Sequence, residues 1–378
     1  MLIQRLMVSV IAVSWLPWFT QEEEPEEPVV PIEEPVVLIE EEPPPPEPPA
    51  PTLFPEPLPF HPTLDVTGLG MTYSASCGGC HNTAFTQWDA SSHHTGAHSS
   101  EWLTAIKAFG DGTLCTSCHK PFEVQHEELT TEVIEGDVSR PVMETNPTWN
   151  PNWQTESVGC AACHVREGVV VGSKTADSPH PVRNSDTMET AEACQNCHQF
   201  QLPNEDVPIY NTYQEWKNSA YSNAGIQCQD CHMTTGSVIG SGLRNHNMKL
   251  TAAQGLTLTL QTPSLILRRN QDVPFSVVVH NTGIGHSWPG SSPFIEKSLI
   301  VRIVDDNGKT LLKDIRHPIG HHRDEKKTGP SIAVGNQHSF ESGFSLSNRL
   351  RPSYAMLHVV YQKGEEEEVL HRVRVEIR

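Results

Sequence analysis

The sequence has few basic residues and no long apolar run. Lysine and arginine together number 26 against 46 aspartates and glutamates, a formal charge of −20. Phosphate backbones need a basic face, so nucleic acid is excluded as an expected partner, and small basic or cationic proteins fit better. The longest mostly apolar stretch, Leu6 to Phe19, is interrupted by Ser14 and Pro17. It falls short of the roughly 20 residues that span a bilayer as a helix. With Arg5 ahead of it, residues 1–20 read as an export signal, with an uncleaved N-terminal anchor and membrane tethering as the alternative. No cysteine lies near the end of this segment, which excludes lipid attachment through a thiol there.

Between Gln21 and Phe60 the chain has no Lys, Arg or Asp, but twelve Glu and fourteen Pro. That segment alone carries −12 of the net charge. Proline blocks helix and sheet, and the glutamates repel one another, so residues 21–60 are expected to form a disordered, polyproline-like spacer. It either holds a folded region away from a membrane or wall, or is a tail with no partner.

Cysteine is missing from the first 76 residues and from everything after Cys231. All ten cysteines fall in five copies of Cys-x-x-Cys-His: Cys77/Cys80/His81, Cys115/Cys118/His119, Cys160/Cys163/His164, Cys194/Cys197/His198 and Cys228/Cys231/His232. Two thiols three positions apart reach the two vinyl groups of one porphyrin as thioethers, and the adjacent imidazole then falls under the iron. Paired thiols also build zinc sites, but an odd number of pairs leaves one site half-made and gives the histidines no role. A thioredoxin-like pair needs one motif rather than five, and a disulfide framework again ignores the histidines. The motifs therefore predict five covalently bound haem c groups with iron, and an exported protein, since attachment needs reduced thiols outside the cytoplasm.

From Cys77 to His232 the chain offers only about 30 residues per haem, so the haems must nearly touch and supply the core. Motif spacing is uneven, which excludes a fixed-period solenoid. Residues 61–254 are expected to be a pentahaem domain, mostly α-helical or irregular. Each iron needs a sixth ligand or an open face. Outside the motifs this region holds His61, His93, His94, His98, His126, His180 and His246, of which His93, His126, His180 and His246 are the preferred distal ligands. Met248 is a weaker option, and Met233 follows its own motif too closely to reach that iron.

Beyond residue 255 alternation takes over. Leu256–Leu260, Phe275–Val279, Leu299–Ile303, Ile332–Ser347, Tyr354–Tyr361 and Val369–Val375 read as strands, and Asp306-Asn307-Gly308 as a hairpin turn. Residues 255–378 are expected to form an all-β immunoglobulin-like sandwich. One loop within it, Asn281 to Gly290, sets two glycines beside His286, where the backbone can approach a large flat group closely. His286 is thus a further candidate ligand, with a structural turn as the alternative. His321 and His322 are expected in a solvated loop.

The segment Phe85-Thr-Gln-Trp88-Asp-Ala-Ser91-Ser-His93 resembles an aromatic-x-x-Trp-x-x-Ser-x-His helix of the cytochrome c-554-like multihaem cytochromes. It recurs as Tyr213-Gln-Glu-Trp216-Lys-Asn-Ser219-Ala-Tyr221, with tyrosine in place of histidine. The ending Cys228 to Met233, followed by Arg244-Asn-His246-Asn-Met248, is also similar, as is the Asn281–Gly290 loop, in which Gly290 replaces a threonine. The resemblance covers residue 71 to about 290 and implies distal ligation by His93 and His246. Tyr221 is then either a packing residue or the mark of a haem whose sixth position is open or filled from elsewhere. The expected function is electron relay through mostly bis-histidine haems to redox partners, such as other cytochromes or a membrane quinol oxidoreductase in respiration, in the periplasm or at the cell surface. Two alternatives are an oxidoreductase with one open haem acting on a small nitrogen or sulfur compound, and a homo-oligomeric extracellular filament.

Overall fold

The computed structural model describes residues 73–378 apart from 109–112, 135–139, 167, 173–177, 202–207, 236–242, 291 and 349–351. The expected signal segment, the acidic spacer and His61 lie outside the described residues. All described residues belong to one compact unit, Ala50–Arg378. Among them no helix is long and apolar enough to cross a membrane.

Up to Gln254 the chain is built from short helices and small sheets. The five motifs sit on or at the ends of helices Ser74–Gly78, Thr113–His119, Cys160–His164, Glu192–His198 and Cys228–His232. Helices this short are marginal in isolation and depend on tertiary contacts. Yet the apolar clusters here are small. One gathers Phe122, Val124, Trp153, Ala161, Ala162 and Val165, and the other Ala191, Tyr213 and Trp216. Strands β1 (Glu128–Val133) and β2 (Pro141–Thr145) form a hairpin ladder, and β3 (Val165–Arg166), β4 (Val169–Gly172) and β5 (Val182–Asn184) a three-stranded sheet.

The two aromatic segments fold alike. Phe85 and Trp88 have ring centroids 5.6 Å apart at 42°, and Tyr213 and Trp216 have the same separation at 43°. Ser91 and Ser219 each cap the helical turn that follows, accepting from backbone N–H groups through their hydroxyls. The Trp88 indole donates to the Val158 carbonyl at 2.8 Å, and the Trp216 indole to the Ile226 carbonyl at 2.9 Å. Each acceptor stands two residues ahead of a motif, so each tryptophan fixes the entry of one: Cys160 in the first case, Cys228 in the second.

After Gly255 the described residues form strands and their connections, with one short helical turn at Glu325–Lys327. Strands β6 (Leu256–Gln261), β8 (Asp272–Asn281) and β11 (Gln337–Ser345) make a sheet of order β11-β8-β6. Strands β7 (Ile266–Leu267), β9 (Lys297–Val304), β10 (Ile315–Pro318), β12 (Tyr354–Lys363) and β13 (Glu366–Ile377) make a second, of order β10-β9-β12-β13-β7. The two sheets share one apolar core. Val277, Val279, Phe275 and Phe344 come from the first, and Leu299, Val301, Leu357, Val359 and Val375 from the second. Phe275 and Phe344 stack with centroids 4.4 Å apart. Fully burying aliphatic side chains such as these stabilises by about 1.5–3 kcal/mol each relative to exposure. The expected turn at Asp306–Gly308 is formed: Gly308 takes φ +80°, where a β-carbon is disfavoured, and Asp305 N–H donates to the Lys309 carbonyl.

Candidate haem centres

Four of the five motif histidines face a second imidazole across a gap of constant size. His81 and His180 have ring centroids 6.2 Å apart, as do His198 and His93, and His164 and His246. His232 and His286 are separated by 6.4 Å. This is too far for stacking or a direct hydrogen bond. A ligating nitrogen sits about 2 Å from its metal and about 1 Å from its own ring centre, so two axial imidazoles on one metal have centroids about 6 Å apart. The gaps fit one iron each. Among the described residues no group of three or more His, Cys, Asp or Glu could hold a bare metal ion. Two facing imidazoles with no third His, Cys, Asp or Glu ligand among the described residues suit a metal that brings its own four nitrogens, as haem does.

Hydrogen bonding supports the fit. A ligating histidine commonly ties its other ring nitrogen to a carbonyl, which fixes tautomer and orientation. Here Nδ1–H donates to the Val171 carbonyl from His164 (3.0 Å), to the Arg244 carbonyl from His246 (2.9 Å) and to the Ser287 carbonyl from His286 (3.0 Å). His180 donates to the Pro181 carbonyl at 3.2 Å and His232 to the Met248 carbonyl at 3.3 Å. In every case Nε2 is left for the gap. Burial lowers the pKa of His93, His164, His232 and His246, and takes His119 and His198 down to about 4, so these rings are neutral donors at pH 7.

The remaining candidates are placed differently. His126 meets no motif histidine. Its Nε2 is spent on the Lys120 carbonyl at 2.7 Å, and the ring lines a surface cavity with Lys120, Glu127 and Trp149. His94 stacks on Trp88 at 4.4 Å and pairs with Asp89. The ring of His119 is covered on one face by Trp102 at 4.5 Å, and among the described residues no histidine ring stands opposite it in the manner of the other four. Met248 is no axial donor in this arrangement, because its sulfur lies 3.2 Å from Nδ1 of His93. Tyr221 packs against the cluster of Ala191, Tyr213 and Trp216, and its hydroxyl donates to the Thr282 carbonyl at 3.1 Å.

The attachment sulfurs of different motifs are neighbours. Cys77 pairs with Cys160, Cys118 with Cys197, and Cys194 with Cys228, each through a side-chain hydrogen bond that holds one thiol of the pair protonated. Cys163 is buried, which pushes its thiol up to about 11, and Cys197 is near enough to add to that rise. The first motif thus meets the third, and the fourth meets both the second and the fifth, with Cys163 of the third motif near Cys197 of the fourth. Groups bound at these sulfurs form one connected, branched set.

Sequence reasoning missed the residues that lock the motifs together. The Ser74 hydroxyl accepts from Cys160 N–H at 2.9 Å and donates to Glu156 Oε2 at 3.0 Å, joining the first motif to the third. Glu156 is buried, and burial raises its pKa against the pull of those hydrogen bonds. Gln227 Oε1 accepts from Ala191 N–H at 2.9 Å, joining the fourth motif to the fifth. The available signal was position: each of these residues stands one to four places ahead of a Cys-x-x-Cys-His.

No family model and no curated protein matches this sequence. Among solved structures the chain is similar to a penta-heme cytochrome c552 from Thermochromatium tepidum, with 16% identity and a TM-score of 0.51 over 81% of this chain and 99% of that one. A coverage of 81% exceeds either half of the chain, so the likeness spans both helical and sheet-rich parts. An alkylpurine DNA glycosylase from Pseudomonas fluorescens and a CARDB domain from Pyrococcus furiosus overlap 33% and 32% of the chain, and 30% and 87% of their own. Their identities of 12% and 14% and TM-scores of 0.23 and 0.21 are too low to bear on the fold. The likeness to the cytochrome, at its identity, is one of fold: the chain has the architecture of a multihaem cytochrome.

Proposed function

We propose that this chain is an exported c-type cytochrome that binds five covalent haems and relays electrons among them to a redox partner. The observation that carries the reading is the set of four imidazole pairs held 6.2–6.4 Å apart, each including a motif histidine. Cys77, Cys80, Cys115, Cys118, Cys160, Cys163, Cys194, Cys197, Cys228 and Cys231 would hold the porphyrins. His81, His119, His164, His198 and His232 would be the proximal ligands, and His180, His93, His246 and His286 the distal ones. Bound haem would supply a one-electron iron couple, and two imidazoles favour its ferric state. The protein's part is to orient the rings, exclude water and keep neighbouring groups close, as the adjacent sulfurs suggest. The β region is proposed as an immunoglobulin-like sandwich over residues 255–378, and residues 21–60 as a spacer tethering the haem region in the periplasm or at the cell surface. Other cytochromes or a membrane quinol oxidoreductase are the proposed partners.

Two measurements test this. Intact mass after acid–acetone extraction should retain five haems. Electron paramagnetic resonance of the oxidised protein should give at least four low-spin ferric signals. Fewer covalent haems, or a majority of high-spin irons, overturns the reading.

A second reading rests on His119, the one motif histidine without a facing imidazole among the described residues. If its iron is open, that haem would be a site for a small exogenous ligand, and the protein an oxidoreductase. His61 is the competing sixth ligand. A high-spin, cyanide-binding haem in the wild type that is unchanged in His61→Ala favours the open site. Low-spin iron that turns high-spin in His61→Ala rejects it.

A further inference from the structure

The two aromatic segments share one fold but end differently. In the first, the terminal residue His93 faces His198, so the segment beside the first motif reaches forward to the fourth. In the second, Tyr221 stands at the corresponding place, in the stretch between the fourth and fifth motifs. Its side chain closes instead on the β-domain loop that carries His286. The Tyr221 hydroxyl donates to the Thr282 carbonyl at 3.1 Å. Glu215, from the same segment, accepts from Ser287 N–H at 3.0 Å, one residue beyond the candidate ligand. Gly285 lies flat on this surface: a β-carbon there would stand 3.5 Å from Trp216 and 3.6 Å from Tyr221. From the opposite side, buried Asn281 donates through Nδ2 to the His286 carbonyl at 2.8 Å and to the Ile332 carbonyl at 3.1 Å. His286 is thus gripped between a rigid β-domain side chain and three residues of the helical region.

We infer that Glu215, Trp216 and Tyr221 are positioning residues for the fifth haem: the second copy of the aromatic segment has given up its own ligand and become the seat that presents His286 of the β domain to the iron opposite His232. The inference rests on the proposed ligation by His286. Restraint from both sides keeps the imidazole where the iron needs it. Loss of one contact from the helical side lets the loop sample positions with the iron uncovered, without removing the ligand itself.

The test uses the full holoprotein and four variants: His286→Ala, Glu215→Ala, Glu215→Gln and Tyr221→Phe. Haem content and far-ultraviolet circular dichroism establish that each is folded, and cyanide uptake by the ferric protein is the readout. His286→Ala should turn one haem high-spin and cyanide-reactive. Glu215→Ala should accelerate cyanide uptake at that same haem by about tenfold, the effect of one lost hydrogen bond to a charged group. Tyr221→Phe should give a few-fold acceleration, and Glu215→Gln, which still offers an acceptor oxygen, should stay near wild type. If His286→Ala opens one haem while Glu215→Ala and Tyr221→Phe react like wild type, the seat is not a positioning device and the inference is overturned. If His286→Ala changes no haem, the ligand assignment itself fails.

Discussion

The thioether of Met248 lies 3.2 Å from Nδ1 of His93, while the carbonyl of the same residue accepts from Nδ1 of His232 at 3.3 Å. One residue thereby steadies the outer nitrogen of two candidate axial ligands belonging to different haems. Its backbone pays a conformational toll for doing so, since φ is +55° in a residue with a β-carbon.

Met248→Leu separates these two roles. It keeps the carbonyl and most of the volume but removes the sulfur acceptor. The haem between His198 and His93 should become about tenfold more reactive toward cyanide, within the usual range for loss of an outer-sphere partner. The haem on His232 should not change. Equal effects on both haems, or none, would show that the sulfur contact has no bearing on ligation.

His180→Ala and His126→Ala form a matched pair. The first should convert one low-spin ferric signal to high-spin, because it empties the position 6.2 Å from His81. The second should leave the haem spectra untouched, because His126 Nε2 is already bonded to the Lys120 carbonyl. Reversal of these outcomes would exchange the roles of the two residues.

His126 and His180 also show where sequence stops being informative. Each lies in the stretch between two motifs, His126 between the second and third and His180 between the third and fourth. What separates them is which ring nitrogen meets a carbonyl, and that is set by the path of the backbone around them. The motif cysteines and their histidines stand out in the sequence because thioether attachment of haem would fix their spacing. The strands were legible because Phe275, Val277 and Val279 recur at every second position and Leu299–Ile303 is a short, mostly apolar run, almost wholly buried. The facing of His232 by His286 was only half legible. Its glycines marked a close approach, but nothing in the sequence says that Glu215 and Tyr221 are the surface approached.

Trp88→Phe and Trp216→Phe should destabilise the holoprotein by similar amounts, about 1–3 kcal/mol each. Both remove an indole N–H bonded to the carbonyl two residues ahead of a motif, at 2.8 and 2.9 Å, and both shrink a buried aromatic ring. Chemical unfolding followed by haem absorbance measures this. A large loss for one and none for the other would mean that the two segments do not play equivalent parts.

Lys297 predicts a pH dependence in the β domain. It is 1% exposed, donates to the Ser292 and His321 carbonyls at 2.9 and 3.1 Å, and is held down to about 8 by burial, with Lys363 adding to the effect. The unfolded chain holds this proton up to the ordinary lysine value near 10.4, so between about pH 8 and pH 10 it binds more protons than the folded one. Stability should therefore rise with pH across that window, by on the order of 3 kcal/mol, once other groups are subtracted. Lys297→Met should abolish the rise. A wild-type profile that is flat or falls through this range, with no difference from the variant, would remove Lys297 as its source.

The pairing of Cys77 with Cys160, Cys118 with Cys197 and Cys194 with Cys228 has a consequence for how the protein is made. Thiols brought this close in an oxidising compartment are poised to join as disulfides, and a cysteine so joined can no longer form a thioether. Were haem to be attached at these sulfurs, attachment would have to precede their close approach, because a disulfide between two motifs would remove both thiols from it. The haem that completes the core would then also keep the thiols from crosslinking, so maturation and folding would have to proceed together.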